Sequence, residues 1–279
     1  VPAGCYILAG TDNNEDEPML RLALALTTTL FFVVSPAGPA QADDGPDRAI
    51  FVYGGWDGHA PKKFRDLVVP WLESEGFEVT ASDSLDIYTD EALMADVDLV
   101  VHLWTQGEIT REQFEPLRVA VEERGVGLAG WHGGLGDSFH RNQVFEYMVG
   151  GQWVRHPGND GVTFRVNITE NEDPITRGLS DFDVVTEQYY MHVDPNNKVL
   201  ATTTFVSEFE PWVKGATMPV TWKRMHGKGR VFYTALGHQP EVFVDVPDAF
   251  RMLKRGILWA SRSKYEETPN LVTPVYPAR

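Results

Sequence analysis

Three short runs of nearly unbroken apolar residues constrain this chain most: Ala49-Ile-Phe-Val-Tyr53, Asp98-Leu-Val-Val-His-Leu-Trp104 and Gly127-Leu-Ala-Gly130. A strand that is apolar throughout has no face to give to water, so both faces must be covered. Between the runs lie stretches with helical periodicity. Pro61 to Glu75 places Phe64, Leu67, Val68, Trp71 and Leu72 on one side, with Pro61 suited to a first turn and Gly76 to a stop. Thr110-x-x-Gln113 resembles a capping box opening a helix through Glu123. With Phe77 to Ala81 as a further strand, the pattern predicts an open parallel α/β sheet.

After Gly151 the texture changes to longer strands, expected at 162–169, 182–192, 198–204, 219–225 and 230–235, with a hairpin turn at Gly227-Lys228-Gly229. An amphipathic helix over 247–261 closes a single domain spanning 47–263, and 264–279 reads as a loose tail.

The first 42 residues have a different character. Met19-Leu-Arg21 precedes an apolar run from Leu22 to Val34, and Ala40-Gln41-Ala42 has the small-residue spacing of a signal-peptidase site. The run is shorter than the roughly 20 residues that cross a bilayer. The reading is a signal peptide over 19–42, cleaved after Ala42, with 1–18 a non-native upstream extension. The mature protein would be periplasmic or extracellular, without stable membrane insertion, and would lack Cys5, the only cysteine. A net charge of −16 excludes nucleic acid as the main partner, because phosphate backbones need basic surface.

In open parallel sheets, ligands bind at the carboxyl ends of the strands. There stand Trp56, Asp57 and His59, then Trp104 to Glu108, then Trp131, His132 and Asp137 within a glycine-rich stretch. Gly130-Trp131-His132-Gly133-Gly134 has the layout of a nucleophile elbow with an imidazole in the nucleophile's place. Such a histidine is a general base or a metal ligand, unless the glycines serve only tight packing.

Taken in order, "GGWDGHAPKK", "LWTQGEIT", "GLAGWHGGLGDSF", "YMVGGQWVRHPG", "EQYYMHVDP" and "GKGRVFYTALGH" resemble the ThuA-like family, associated with trehalose utilisation, over residues 49–261. The resemblance implies a flavodoxin-like, class I glutamine amidotransferase-like three-layer sandwich, with a mainly parallel central sheet and added strands in the C-terminal half. It also implies a role in disaccharide or keto-sugar metabolism. Thiol-dependent glutamine hydrolysis is excluded, since His132 stands where the amidotransferase cysteine would be.

On that reading the chain is a sugar-acting hydrolase or lyase, or else a non-catalytic sugar-binding accessory protein. His132 moves a proton, with Glu187 or Asp137 as its carboxylate. Trp56, Asp57, Trp104, Trp131, Trp153, His156 and Tyr190 bind the carbohydrate. His59, His192 and His238 would suit a divalent metal, zinc or similar. No nucleotide or flavin is expected, and a homo-oligomer is allowed. One conflict is visible beforehand: in a regular strand Glu187 and His192 face opposite sides, so both reach one pocket only if the strand is bulged or ends there.

Overall fold

A computed structural model describes residues 47–206 and 208–272. The expected signal peptide, the upstream extension, Cys5 and the end of the tail lie outside the described residues. Among those described, no helix is long and apolar enough to cross a membrane.

The chain alternates as expected: β1 (Arg48–Gly55), α1 (Pro61–Ser74), β2 (Glu78–Ser82), α2 (Glu91–Asp96), β3 (Leu99–Thr105), α3 (Arg111–Glu122) and β4 (Gly127–Trp131). Pro61 occupies the first turn of α1. The capping box of α3 is complete, with Gln113 N donating to Thr110 Oγ1 and Thr110 N donating to Gln113 Oε1. From β4 the chain passes through α4 (Gly133–Gly136), α5 (Gln143–Val149) and β5 (Gly151–Arg155). The second half forms β6 (Val162–Ile168), β7 (Phe182–Thr186), β8 (Tyr190–Val193), β9 (Lys198–Thr204), β10 (Thr217–His226) and β11 (Gly229–Thr234), then α6 (Glu241–Asp245) and α7 (Pro247–Ser261).

One nine-stranded sheet organises the molecule, in the order β2-β1-β3-β4-β11-β10-β9-β6-β7. The first five strands are parallel, and β10, β9, β6 and β7 extend them antiparallel. Residues 49–53 of β1 and 99–103 of β3 are all buried, as two-sided cover requires. On β11 the two faces have different neighbours: Gly229 lies against Val121 of α3, and Phe232 against Gly256 of α7. Helices therefore cover both sides in a three-layer α/β sandwich.

Two expectations are corrected. The segment 182–192 is not one strand: β7 ends at Thr186, β8 begins at Tyr190, and β8 pairs with β5 in a separate two-stranded sheet. The start of the tail is not loose either. Arg230, 3% exposed, donates to Thr268 Oγ1, to Glu266 Oε2 and to the carbonyls of Trp259, Glu266 and Glu267. A buried guanidinium needs that many acceptors, and the chain after α7 supplies most of them.

Candidate functional site

Adjacent parallel strands deliver four of the site's polar groups from their carboxyl ends. His59 follows β1, Thr105 ends β3, His132 follows β4 and His238 follows β11. The imidazole rings of His59, His132 and His238 lie 4.6 to 5.3 Å from one another, centroid to centroid. The carboxylate comes from the other half of the chain: Glu187 sits in the break between β7 and β8, where no pleat dictates its direction. The strand ends here and frees Glu187 from the pleat, but His192 does not join it in the pocket.

His132 holds φ 49° and ψ −140°, a region that strains any residue with a Cβ. Surrounding contacts enforce it. His132 N donates to Thr234 O at 2.7 Å, and its own carbonyl accepts from Gly136 N and from the Tyr233 hydroxyl. The elbow is therefore real, and its glycines serve the neighbours. A Cβ on Gly133 would stand 2.3 Å from His59 Cε1, and one on Gly134 would stand 2.1 Å from Leu103 Cδ1. The missing side chains let the His59 imidazole lie on the turn and the turn lie on β3.

A backbone carbonyl assigns the proton of the central ring. His132 Nδ1 is 2.8 Å from the carbonyl of Ala235. A carbonyl only accepts, so Nδ1 carries the hydrogen and Nε2 of the neutral ring presents a lone pair. That lone pair lies 3.0 Å from Glu187 Oε2. His59 Nδ1 is 2.9 Å from Thr105 Oγ1, which turns its Nε2 toward the same oxygen at 4.0 Å. His238 Nε2 faces Asp160 at 3.9 Å and its Nδ1 lies 3.3 Å from Glu187 Oε2. Three nitrogens and one carboxylate oxygen thus lie within 4.8 Å of one another, and at His132 an acceptor faces an acceptor.

Protonation of His59 and His132 is disfavoured. Burial, reinforced by the charges of His132 and His238, pushes His59 down to about 2. Burial also depresses His132, outweighing the pull of Glu187. Burial by itself would raise Glu187, but hydrogen bonds with His132 and His238 hold it below the usual carboxylate range. The Ala235 contact places a hydrogen on Nδ1, and burial favours the neutral ring, whose Nε2 then faces Glu187 as an acceptor. His238 alone moves upward: burial opposes this, and Glu187 and Asp160 outweigh it. A divalent cation would satisfy all four atoms, and three nitrogens with one carboxylate suit zinc or a similar ion.

The remaining expected residues divide. Trp56, half-exposed, stands edge-on to His59 at 4.7 Å, and Asp57 is exposed beside it. Trp104 is partly buried against the Gly54 backbone. Trp153 and His156 lie 5.4 Å apart, and His156 Nε2 approaches Glu187 Oε1 at 3.9 Å. Asp137 is buried and pairs with His140 and Gln106 Nε2; burial raises it, against the pull of His140. It does not join the cluster.

Three placements depart from expectation, each because of side-chain direction. Trp131 is fully buried among Phe51, Phe64 and Phe243, since the last residue of β4 still obeys the pleat and points into the core. Tyr190 packs on Phe205, and Tyr189 instead stacks on His132 at 4.1 Å. His192 is exposed on β8, because Met191 beside it faces inward and takes a hydrogen bond from the Tyr233 hydroxyl. Glu187 and His132, not His192, lie beside His59 and His238. Tyr189 and Asp160 were missed: the first depends on the strand break, and the second on a loop with no periodicity.

With the geometry established, comparison places it among known proteins. The family model described as "ThuA: Trehalose utilisation" matches residues 48–260. A ThuA-like protein from Parabacteroides merdae has a similar structure, with a TM-score of 0.64 at 18% identity, covering 80% of this chain and 93% of that one. A second, from Bacteroides uniformis, gives 0.64 at 16% identity over 80% and 94%. The cytoplasmic protein STM1381 from Salmonella typhimurium gives 0.54 at 15% over 77% and 98%. No curated protein matches the chain.

Proposed function

The chain belongs to the ThuA family, and from that premise we propose that it is a metal-dependent, exported enzyme of carbohydrate utilisation, a hydrolase or lyase acting on trehalose or a related keto-glycoside. The observation that carries this reading is the convergence of His59, His132, His238 and Glu187, with Nε2 of the neutral His132 ring directed at Glu187 Oε2. A cation held there would supply Lewis acidity toward a sugar oxygen. Export rests on the apolar run from Leu22 to Val34.

Hydrolysis adds water across a glycosidic C–O bond, and elimination removes a proton beside a keto group as the alcohol departs. Either needs a group free to move a proton. His132, 1% exposed, has both nitrogens engaged, so in this proposal it positions Glu187 and the cation. His156 is better placed to act: it is partly exposed, borders a cleft and leaves Nδ1 without a partner.

The test is elemental analysis of protein purified without a polyhistidine tag, followed by turnover of trehalose and its keto derivative before and after chelation. One equivalent of metal is expected, with activity lost on chelation and restored by the ion. His156→Ala should keep the metal and lose about 10²- to 10⁴-fold in turnover. Metal-free protein with full activity refutes the reading, and sugar affinity without any turnover would identify a binding protein instead.

A further inference from the structure

Asp137 stands outside the cation cluster, and its surroundings give it a different use. Its carboxylate is 4% exposed and is held from two sides. Oδ1 pairs with Nε2 of His140, and Oδ2 accepts from Gln106 Nε2 at 3.4 Å. Beside an ionised carboxylate, Nε2 of the imidazole carries the hydrogen, and the neutral ring presents its lone pair at Nδ1. Among the described residues Nδ1 has no hydrogen-bond partner, and the His140 side chain is 50% exposed. The geometry points to Asp137 and His140 as a second proton-transfer pair of the site, in which His140 takes a proton at Nδ1 and Asp137 positions the ring. The inference rests on the enzymatic reading above. It adds the counterpart of His156, because hydrolysis and elimination each remove one proton and deliver another.

Backbone strain marks the same pair. Six non-glycine residues hold a positive φ among those described, and three of them bracket it: Gln106 at 59°, Phe139 at 49° and Arg141 at 74°. Left-handed backbone at residues with a Cβ costs free energy and persists only where the surroundings enforce it. Here two loops are tied together. Gln106 N donates to Asp137 O at 2.8 Å, Phe139 N donates to Gln106 O at 3.4 Å, and Ser138 Oγ donates to Trp104 O at 2.6 Å. Phe139 anchors the turn in the core against His102 and Phe145. A histidine that merely decorated this turn would need no buried carboxylate, since Asn142 N already closes the turn on Phe139 O. Burial works against the charge of Asp137 and His140 opposes that effect, so an imidazolium formed there meets a ready counter-charge.

The position suits the task. His140 borders a cavity of about 510 Å³ with Gly107, Glu108 and Asn142. Its ring lies nearly parallel to the indole of Trp153 at 6.2 Å, and Trp153 lies 5.4 Å from His156, with which it lines a cleft of about 340 Å³. One tryptophan thus neighbours both imidazoles. In elimination, His140 Nδ1 takes the proton from the carbon beside the keto group. The C–H electron pair becomes the C=C bond, the glycosidic C–O bond breaks, and the departing oxygen takes a proton from His156. In hydrolysis, His140 instead takes a proton from the water whose oxygen bonds to the anomeric carbon. Exchange with solvent then returns both rings to their starting states.

Initial rates of the intact protein with zinc, on trehalose and its keto derivative, test this. His140→Ala should lower kcat by about 10²- to 10⁴-fold with metal content unchanged and little change in KM. Imidazole added to His140→Gly should restore part of the rate and leave wild type unaffected. Asp137→Asn, which keeps the shape but frees the tautomer, should lose at least about 10²-fold. Nitrogen NMR of histidine-labelled wild type should find the His140 hydrogen on Nε2. If Asp137→Asn fails to fold, the two His140 variants still decide. Wild-type rates in His140→Ala, a loss that imidazole does not restore, or a His140 hydrogen on Nδ1 each overturns the inference and leaves the enzymatic reading standing. No turnover of either sugar by wild type refutes the enzymatic reading and takes the pair's role with it. Turnover that depends on His140 in a protein without bound metal overturns the metal reading alone.

Discussion

Replacing Glu187 by glutamine separates two accounts of the buried cluster by the sign of a stability change. If a cation normally sits among four acceptors, the metal-free protein has His132 Nε2 and Glu187 Oε2 opposed at 3.0 Å with no hydrogen between them. The amide of Glu187→Gln can donate to that nitrogen, a contact worth about 0.5–1.5 kcal/mol. The upward pull on His238 comes chiefly from Glu187 and goes with it. For a domain of this size, about 2–4 °C per kcal/mol, the chelated variant should melt about 1–6 °C above chelated wild type. If instead a buried imidazolium pairs with Glu187, the substitution strands a charge, costs about 3–5 kcal/mol and lowers the melting point by about 6–20 °C. Added metal discriminates further. At 100- to 1,000-fold excess over Kd it should stabilise wild type by about 2.7–4.1 kcal/mol, and the variant, short of its charged ligand, by much less. Scanning calorimetry with chelator and with zinc reads both. A chelated variant that melts well below chelated wild type and still responds fully to zinc would refute the acceptor argument.

Two further outcomes are expected. His102 is fully buried beside Phe139 and Phe145, and burial lowers it to about 3. The unfolded chain therefore binds the proton first, so the His102 contribution is intact above pH 6.5 and falls as pH drops, by about 2 kcal/mol at pH 5. Melting curves of wild type and His102→Asn, taken at both pH values in chelator, should differ in slope by that amount; parallel curves would exclude it. Gly133→Ala should displace His59, whose Cε1 lies 2.3 Å from the new Cβ, and reduce zinc affinity by about 10- to 100-fold. Unchanged affinity would show that His59 is not a ligand.

Much of the scaffold was legible because its causes are local. The apolar runs at 49–53 and 98–104 imply two-sided cover wherever they occur, and Thr110 with Gln113 caps its helix regardless of the fold around it. The junction of imidazole-bearing loops was legible for a topological reason: the carboxyl ends of neighbouring parallel strands share one edge of the sheet. Direction within those loops was not. Trp131 and His132 are adjacent, yet one is core and the other is site, because the backbone leaves the pleat between them. Tyr189 and Tyr190 exchanged roles for the same reason at the end of β7.

The residues by themselves thus determined the layered α/β architecture, the family and the strand ends where chemistry would gather, since hydrophobic period and turn composition act over a few neighbours. Only the tertiary structure decided that Glu187 meets His59, His132 and His238 while His192 stays outside. That choice depends on where β7 stops and on which carbonyl takes the Nδ1 hydrogen of His132, contacts between residues 55 and 103 positions apart. No local pattern encodes which of those distant groups will face one another.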